Sequence, residues 1–412
     1  MNMPDSDTAS LQFLQARLSE GVAMKHSRSF ERVNNGMSLL LSIVFLILLW
    51  LPTLDSFFNL DRVPWVNEKR PPAKFPQVIL SVNGVRALPA GLEAYFSDHF
   101  GFRRRLIRCE QKWKHELFRE ATHPDVMIGR NGWLFYTGEQ MIEHFRGAKL
   151  FTPEDLKNWQ ALLEKRRDWL ANRGIKYLFV IPPDKHSVYP EYLPDWLTKV
   201  GPQTKLDQFI AHMKTHSSVE VLDLRPALLE AKKTGRTYLY TDTHWNAYGA
   251  FFAYRAFMRA LARQLPELGE PLPYEAFDTA SSEEKGGDLA VLLGQTMAEK
   301  DVVNLNPRPP LRLQETKEDI SIFAKQWPKY TQPVYTENPS RRYSLLSFRD
   351  SFSNSWTAFV GFNFKRSVYI WQYNWDGKVI EREKPNVVVD EMLERMFNLQ
   401  DPKKLMKDDQ LS

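Results

Sequence analysis

Asp242 and His244 stand two residues apart in the segment 241–246, Thr-Asp-Thr-His-Trp-Asn. The segment ends a short apolar stretch that predicts a strand, and it precedes a long amphipathic stretch that predicts a helix. In extended backbone, residues two apart point the same way, so the Asp242 carboxylate can reach one nitrogen of the His244 imidazole. That contact would fix the tautomer and leave the other nitrogen free as a general base. The structural alternative is that Asp242 caps the helix while His244 packs locally.

Ser351 lies in a second polar segment, Arg-Asp-Ser-Phe at 349–352. The segment follows an apolar stretch, 343–347, which predicts a strand, and it leads into a predicted helix. A serine hydroxyl becomes a nucleophile when a base takes its proton, and N–H groups at the start of a helix can stabilise a developing oxyanion. Capping of that helix by Ser351 and its polar neighbours is the structural alternative.

Other polar residues are candidates for contact with a substrate or an oxyanion. Lys185 and His186 follow a predicted buried strand and could hold sugar hydroxyls or a carboxylate, although a surface loop would explain them equally. Gly287 could bring backbone amides to the site, or it could belong to a plain glycine turn. Arg349 and Asn354 flank the serine and complete this set of candidates.

Composition narrows the chemistry. The single cysteine, Cys109, excludes an intramolecular disulfide and a zinc site built on two or more thiolates. The histidines show no convincing spacing for metal ligands, so we expect no metal and no bound cofactor. The net charge of +5 comes without a long Lys/Arg run, which makes nucleic acid an improbable partner.

The elements that must position these residues alternate between strands and helices from Met127 onward. The predicted strands are 175–181, 219–222, 343–347, 368–371 and 387–389, and the predicted helices are 152–174, 203–214 and 246–265. Such alternation predicts an α/β domain with a mostly parallel sheet flanked by helices. Ligands bind such sheets at the carboxyl ends of the strands.

Together the segments resemble the alginate O-acetyltransferase-like branch of the SGNH hydrolase superfamily. The resemblance spans roughly residues 62–397. Its blocks are NEKRP (67–71), YFSDHFGFR (95–103), GRNGWLFY (129–136), PPDKHSVYPEYLP (182–194), TDTHWN (241–246), GGDL (286–289), RDSF (349–352) and PNVVVDEMLER (385–395). The resemblance implies a three-layer α/β/α domain of the SGNH hydrolase type. It also implies a triad of Ser351 as nucleophile, His244 as base and Asp242 as its orienting partner. Arg349 stands where many relatives carry the glycine of a Gly-Asp-Ser turn.

An uncharged, leucine-rich run of 18 residues at 37–54 predicts one transmembrane helix, because at 1.5 Å per residue it nearly spans a hydrocarbon core of about 30 Å. A cleaved signal peptide is the alternative. The positive residues before the run favour a cytoplasmic N-terminus and hence, in a bacterial inner membrane, a periplasmic catalytic domain. The predicted organisation is a cytoplasmic tail (1–36), the transmembrane helix (37–54), a linker and membrane-proximal helical region (55–121), the catalytic domain (122–397) and a C-terminal tail (398–412).

The resemblance implies a polysaccharide O-acetyltransferase that acetylates sugar hydroxyls of an exopolysaccharide such as alginate through an acetyl-serine. Acetyl-CoA is cytoplasmic, so the resemblance implies a membrane-bound O-acyltransferase as the partner that delivers the acetyl group. Three alternatives stay open: a carbohydrate acetylesterase with the same triad, a non-catalytic scaffold of an exopolysaccharide complex, and a metal hydrolase using Asp184, His186, Asp242 and His244.

Overall fold

The computed structural model describes residues 39–47, 49–55, 58, 73–76, 81–103, 105–106, 123–295, 297–311, 313–316 and 333–411. The chain divides into two compact units, residues 1–110 and 111–412. The predicted cytoplasmic tail, most of the predicted linker and residues 107–121 of the predicted membrane-proximal region lie outside the described residues.

The first unit is helical where it is described. Residues 39–47 and 49–55 are helical, and helix α1 runs over Val82–His99. The Asp55 carboxylate accepts a hydrogen bond from the Phe102 N–H at 2.9 Å. Within the predicted linker and membrane-proximal helical region (55–121), residues 82–89 are helical and form the first half of α1, although Pro89 lies within it. In the described part of the chain, no helix combines the length and the hydropathy that a membrane span needs.

The second unit contains one large sheet and two ribbons. Its strands are β1 (Val126–Ile128), β2 (Leu134–Tyr136), β3 (Lys176–Ile181), β4 (Val221–Asp223), β5 (Phe277–Lys285), β6 (Ala298–Pro307), β7 (Gln314–Thr316), β8 (Val334–Glu337), β9 (Ser344–Arg349), β10 (Arg366–Trp371) and β11 (Val387–Glu391). Seven of them form a sheet in the order β4-β3-β11-β9-β10-β8-β7. The five strands from β4 to β10 are parallel, and β8 and β7 add an antiparallel edge. β1 pairs with β2 and β5 with β6 in antiparallel ribbons.

Helices cover both faces of the sheet. They are α2 (Met141–Arg146), α3 (Pro153–Ala171), α4 (Lys185–Val188), α5 (Lys205–His216), α6 (Arg225–Ala231), α7 (Ala247–Gln264), α8 (Asp288–Leu292), α9 (Thr357–Gly361), α10 (Gly377–Glu383), α11 (Glu394–Leu399) and α12 (Pro402–Asp408). Successive side chains of β3 alternate between two cores: Leu178 joins the core that contains Phe251 of α7, and Phe179 joins the core that contains Trp159 of α3. The predicted α/β/α layering is therefore confirmed.

The parallel strands bring polar residues to one edge of the sheet. β3, β9 and β11 run in the same direction, so their carboxyl ends meet at that edge. Asp184 follows β3, Ser351 follows β9, and Glu391 is the last residue of β11. The serine thus occupies the position at which open α/β sheets bind their ligands.

The C-terminal residues correct one prediction. Residues 398–412 were expected to form a tail, yet α12 packs on α3 and buries Leu405. The Asp409 carboxylate accepts hydrogen bonds from the guanidinium of the fully buried Arg166 at 2.9 and 2.8 Å. An unpaired arginine would be costly in that interior, so these residues belong to the domain.

Candidate active site

Three side chains from two distant segments of the chain form one hydrogen-bonded chain. His244 Nδ1 lies 2.7 Å from Asp242 Oδ1, and His244 Nε2 lies 2.8 Å from Ser351 Oγ. Ser351 is partly exposed, and the His244 side chain is 28% exposed. With its proton on Nδ1, donated to Asp242, the imidazole presents Nε2 to the serine hydroxyl. This arrangement has the order and the distances of a Ser-His-Asp triad that is open to solvent.

The loop that carries Asp242 and His244 is not the strand end that the spacing predicted. Residues 240–244 are bends, and the loop is closed by a single antiparallel bridge between Tyr238 and Trp245. Asp242 reaches the imidazole because its Oδ1 also accepts the His244 backbone N–H at 2.9 Å. The local hydrogen bond therefore replaces the extended backbone as the reason for the pairing.

Glu299 on β6 anchors this loop, and no pattern in the sequence predicted that role. Its carboxylate is 2% exposed and accepts the N–H groups of Tyr240 and Thr241 at 3.0 and 2.8 Å. It also accepts the Thr241 hydroxyl and, at 2.8 Å, the guanidinium of Arg236. Both carboxylate oxygens are thus used to fix the backbone just before Asp242.

Lys185 and His186 were candidates for substrate contact, and the structure buries both side chains. The Lys185 amine donates to the carbonyl oxygens of Leu239 and Asp242 at 3.0 and 2.5 Å, so it supports the histidine loop. His186 packs beside the Phe135 ring at 5.1 Å, and neither of its ring nitrogens has a hydrogen-bond partner within the described ranges. Neither side chain is accessible to a sugar here.

Gly287 fits closely against Asp242. A Cβ added at Gly287 would lie 2.3 Å from Asp242 Oδ2, a distance that no side chain tolerates. The absence of a side chain lets the next residue, Asp288, donate its N–H to Asp242 Oδ2 at 2.9 Å. The glycine therefore admits the backbone to the orienting carboxylate, and the structure does not place it at the serine.

The serine turn begins where β9 ends. Residues Ser351–Ser355 form a 3-10 helix that is capped by Asp350, whose carboxylate accepts the Phe352 N–H at 3.0 Å. Ser351 is the first residue of that helix, so its own N–H has no acceptor within the turn and can serve an oxyanion. The Trp245 indole donates to the Phe352 carbonyl oxygen at 3.0 Å and ties the histidine loop to this turn.

Arg349 and Asn354 do not form a free anion site beside the serine. Arg349 is 1% exposed, and its guanidinium donates to the Asp350 carbonyl oxygen at 2.9 Å and to Asn354 Oδ1 at 2.6 Å. The guanidinium also lies 4.7 Å from the Trp371 ring. Arg349 thus ties together the turn that carries Ser351, and Asn354 is the exposed end of that contact.

The charges around the imidazole favour its protonated form. Burial opposes the charge, but the hydrogen bond to Asp242 and the charges of Asp242 and Asp288 raise the pKa of His244 above its ordinary value. Burial likewise opposes the charge of Asp242, but the hydrogen bond and charge of His244 and the N–H groups of Asp288 and His244 hold its pKa well below the usual range. An ionised Asp242 can therefore stabilise an imidazolium that forms during a reaction.

The four residues of the metal-hydrolase alternative do not gather at one point. Asp184 Oδ1 instead accepts the Arg395 guanidinium at 2.6 Å, and His186 is buried. Across the described residues, the one close group of three possible ligands is Asp242, His244 and Asp288, whose ligand atoms lie within 4.8 Å of one another. Those atoms already hydrogen-bond within the triad and to Thr243.

Comparisons with known proteins point to an SGNH hydrolase-like acetyltransferase domain. Residues 126–324 match the family model described as the SGNH hydrolase-like domain of the acetyltransferase AlgX, a match that includes Asp242 and His244 and ends before Ser351. A probable alginate O-acetylase AlgJ of Pseudomonas putida is 31% identical over 230 residues, which cover 56% of this chain and 54% of the relative. A probable alginate O-acetylase AlgJ of Pseudomonas syringae is 30% identical over 203 residues, 49% of each chain. The chain thus spans about half the length of these curated relatives.

A solved structure shares the fold. Bacillus cereus PatB1, determined with a sulfonyl adduct, superposes with a TM-score of 0.52 at 15% sequence identity, covering 69% of this chain and 98% of that one. At that identity the likeness concerns the fold alone. The resemblance of the sequence to the alginate O-acetyltransferase-like family is confirmed over the matched residues.

Proposed function

We propose that the chain is a polysaccharide O-acetyltransferase in which Ser351, His244 and Asp242 are the catalytic triad, and the match of residues 126–324 to the SGNH hydrolase-like acetyltransferase domain supports the proposal. The observation that carries the proposal is the hydrogen-bonded chain Asp242–His244–Ser351, with both contacts at 2.8 Å or less. A chance packing of three polar side chains would not align both imidazole nitrogens with the partners that acyl transfer requires.

The reaction has two steps. In the first, His244 Nε2 takes the Ser351 proton as Oγ attacks the acetyl carbonyl carbon of the donor. The tetrahedral intermediate collapses as the donor's oxygen leaves with that proton, and an acetyl-serine remains. In the second, His244 takes the proton of a sugar hydroxyl, whose oxygen attacks the acetyl-serine. The ester bond to Ser351 breaks, and Oγ recovers the proton from the imidazolium.

The Ser351 N–H supports the oxyanion in both steps, since among the described residues it has no acceptor at the start of the 3-10 helix that Asp350 caps. Ionised Asp242 offsets the positive charge that His244 carries in each intermediate. The substrate is proposed to be an exopolysaccharide such as alginate, the polymer after which the Pseudomonas relatives are named.

The reaction is proposed to take place in the periplasm, with residues 37–54 as a single transmembrane anchor in a bacterial inner membrane. In the described part of this run, Leu39, Phe45 and Trp50 are 64%, 64% and 59% exposed, as expected of side chains that contact lipid. Acetyl-CoA is cytoplasmic, so a membrane-bound O-acyltransferase is the proposed partner that supplies the acetyl group, and no bound cofactor is required. A topology reporter fused after residue 150 should be active only outside the cytoplasm; activity inside it would contradict this arrangement.

The triad is tested by intact-mass analysis of the purified full chain after incubation with an activated acetyl ester. Wild type should gain an acetyl group, and Ser351→Ala and His244→Ala should lose acylation by about 10³-fold or more. Ser355→Ala, a control in the same turn, should label like wild type. Equal labelling of all four proteins would refute the triad.

A second arm separates transfer from hydrolysis. Acetylated wild type is mixed with an oligosaccharide of the polymer, and the acetylated sugar and the free acetate are both quantified. Transfer to the sugar supports the acetyltransferase, and acetate alone supports the acetylesterase alternative. Both arms are run with a chelator, because the proposed steps use no metal.

A further inference from the structure

Asp288 is bound to the histidine loop through both its backbone and its side chain. Its N–H donates to Asp242 Oδ2 at 2.9 Å. Its carboxylate accepts the Thr243 N–H at 2.7 Å and the Thr243 hydroxyl at 2.5 Å. These bonds join the start of α8 to Asp242, 46 positions earlier in the sequence, and to Thr243, 45 positions earlier.

The same carboxylate lies beside the imidazole. Asp288 Oδ2 is 3.8 Å from His244 Nδ1, and the Thr243 hydroxyl stands between the two groups, 3.2 Å from that nitrogen. The Asp288 side chain is 42% exposed, whereas that of Asp242 is 15% exposed. The imidazole is thus flanked by two carboxylates, one facing the interior and one facing solvent.

On the basis of the proposed function, we infer that Asp288 is a positioning residue for the general base. Its side chain holds Thr243, and therefore the Asp242–His244 loop, in the reactive geometry. Its charge stabilises the imidazolium from the solvent side.

The charged groups around His244 and Asp288 determine how the His244 pKa should respond when the Asp288 charge is removed. His244 is faced by Asp242 and Asp288, whose charges raise its pKa, and by Arg395, whose charge lowers it. Burial and the Asp242 charge raise the pKa of Asp288, while its hydrogen bonds to Thr243 and the His244 charge oppose that rise. Burial raises the pKa of Tyr136, and the Asp288 charge adds to that rise. Burial lowers the pKa of Lys185 to about 7, and the Asp288 charge opposes that fall. Removing the Asp288 charge should therefore destabilise the imidazolium and leave the Asp242 pairing in place.

The test compares Asp288→Asn, Asp288→Glu and Asp288→Ala with wild type as full chains. Acylation of Ser351 requires neutral His244, so the acid limb of its pH profile follows the His244 pKa. In Asp288→Asn that limb should move to lower pH by about half a unit to one unit, while the plateau rate changes by less than about threefold. Asp288→Glu should restore the wild-type midpoint because it restores the charge. Asp288→Ala should also lower the plateau about tenfold, since both Thr243 donors lose their acceptor.

A direct measurement of the imidazole separates its titration from that of the Lys185 amine, whose pKa burial lowers to about 7. Histidine labelled with ¹³C reports each imidazole by NMR, and His244→Gln assigns the signal of His244. Asp408→Asn, which removes one exposed carboxylate on α12, is the control and should leave that titration unchanged. An unchanged His244 midpoint in Asp288→Asn, or an equal shift in Asp408→Asn, would overturn the inference. If wild type does not form acetyl-Ser351, the proposed function is refuted. The NMR titration would still show whether Asp288 raises the pKa of His244.

Discussion

The serine turn and the histidine loop meet at a distance of 2.8 Å, yet the protein holds them in different ways. Ser351 follows β9, which is paired on both sides, with β11 and with β10. The histidine loop belongs to no strand and is closed by one bridge. Its position depends on side chains from elsewhere, above all Glu299 and Lys185, which are 58 and 57 residues away from the backbone groups they bind.

The protein therefore positions the nucleophile and the general base by different means. Backbone pairing in a parallel sheet places the nucleophile, because the end of a central strand is fixed by its two neighbours. Placing the base requires buried polar side chains that each satisfy several backbone groups at once. A substitution on the histidine side should therefore alter the reaction more than a comparable substitution beneath the serine.

The largest effect is expected for Glu299→Ala. The change leaves two N–H groups, a hydroxyl and the Arg236 guanidinium without their acceptor, so the free energy of unfolding should fall by about 2–4 kcal/mol. Acylation measured where the variant is folded should fall about 100-fold or more, because Asp242 loses its support. Glu284 lies opposite Glu299 in the β5–β6 ribbon and is exposed, so Glu284→Ala should change the unfolding free energy by less than about 0.5 kcal/mol. Near-normal acylation in folded Glu299→Ala would show that the loop does not depend on this anchor.

A smaller effect is expected for Gly287→Ala. The backbone of Gly287, with φ −74°, suits alanine, so only the close approach of the new methyl group to Asp242 is altered. Displacement of the carboxylate should lower acylation about 10- to 100-fold and cost about 1–3 kcal/mol of unfolding free energy. Gly174 is the matched control with the opposite properties. Its φ of +71° disfavours alanine, but an added Cβ would meet nothing within 4 Å. Gly174→Ala should lose about 1 kcal/mol and keep full activity; equal activity losses in the two variants would mean that general destabilisation is the cause.

The same difference decides what the sequence could predict. Apolar runs ending in polar turns predicted β3, β9, β10 and β11, and with them the position of Ser351, because burial on both faces of a strand leaves a continuous hydrophobic signal. The antiparallel edge formed by β7 and β8 was missed because short edge strands carry little of that signal.

The histidine side was predicted less completely. The pairing of Asp242 with His244 was predicted from their spacing, but through extended backbone that the structure does not have. Lys185 was predicted to contact the substrate, but in the structure it is a buried hydrogen-bond donor to the loop. No pattern marked Glu299, because a single carboxylate on a predominantly polar strand resembles any solvated residue until the fold buries it.

The smallest effect on the reaction is expected beneath the serine, for Glu391→Gln. Burial and the nearby Asp350 charge raise the pKa of Glu391 well above its ordinary value, so the folded protein holds it protonated where the unfolded chain does not. Glutamine can keep the acceptor for the Asp350 N–H and the Ser353 hydroxyl, which lie 2.9 and 2.8 Å from one Glu391 oxygen. Acylation should therefore stay within about threefold of wild type.

The stability of the same variant should depend on pH in a definite direction. A raised pKa in the folded state gives wild type a contribution that is fully present below the unfolded pKa of Glu391 and is lost as the pH rises towards the folded value. Glutamine carries no such proton, so Glu391→Gln should gain on wild type in unfolding free energy as the pH rises above the unfolded pKa of Glu391 and through its raised folded value, as measured by urea titration. Glu275→Gln, at an exposed carboxylate, should follow wild type at every pH. If Glu391→Gln instead lost acylation as severely as Glu299→Ala, the serine turn would need buried polar support as much as the histidine loop does.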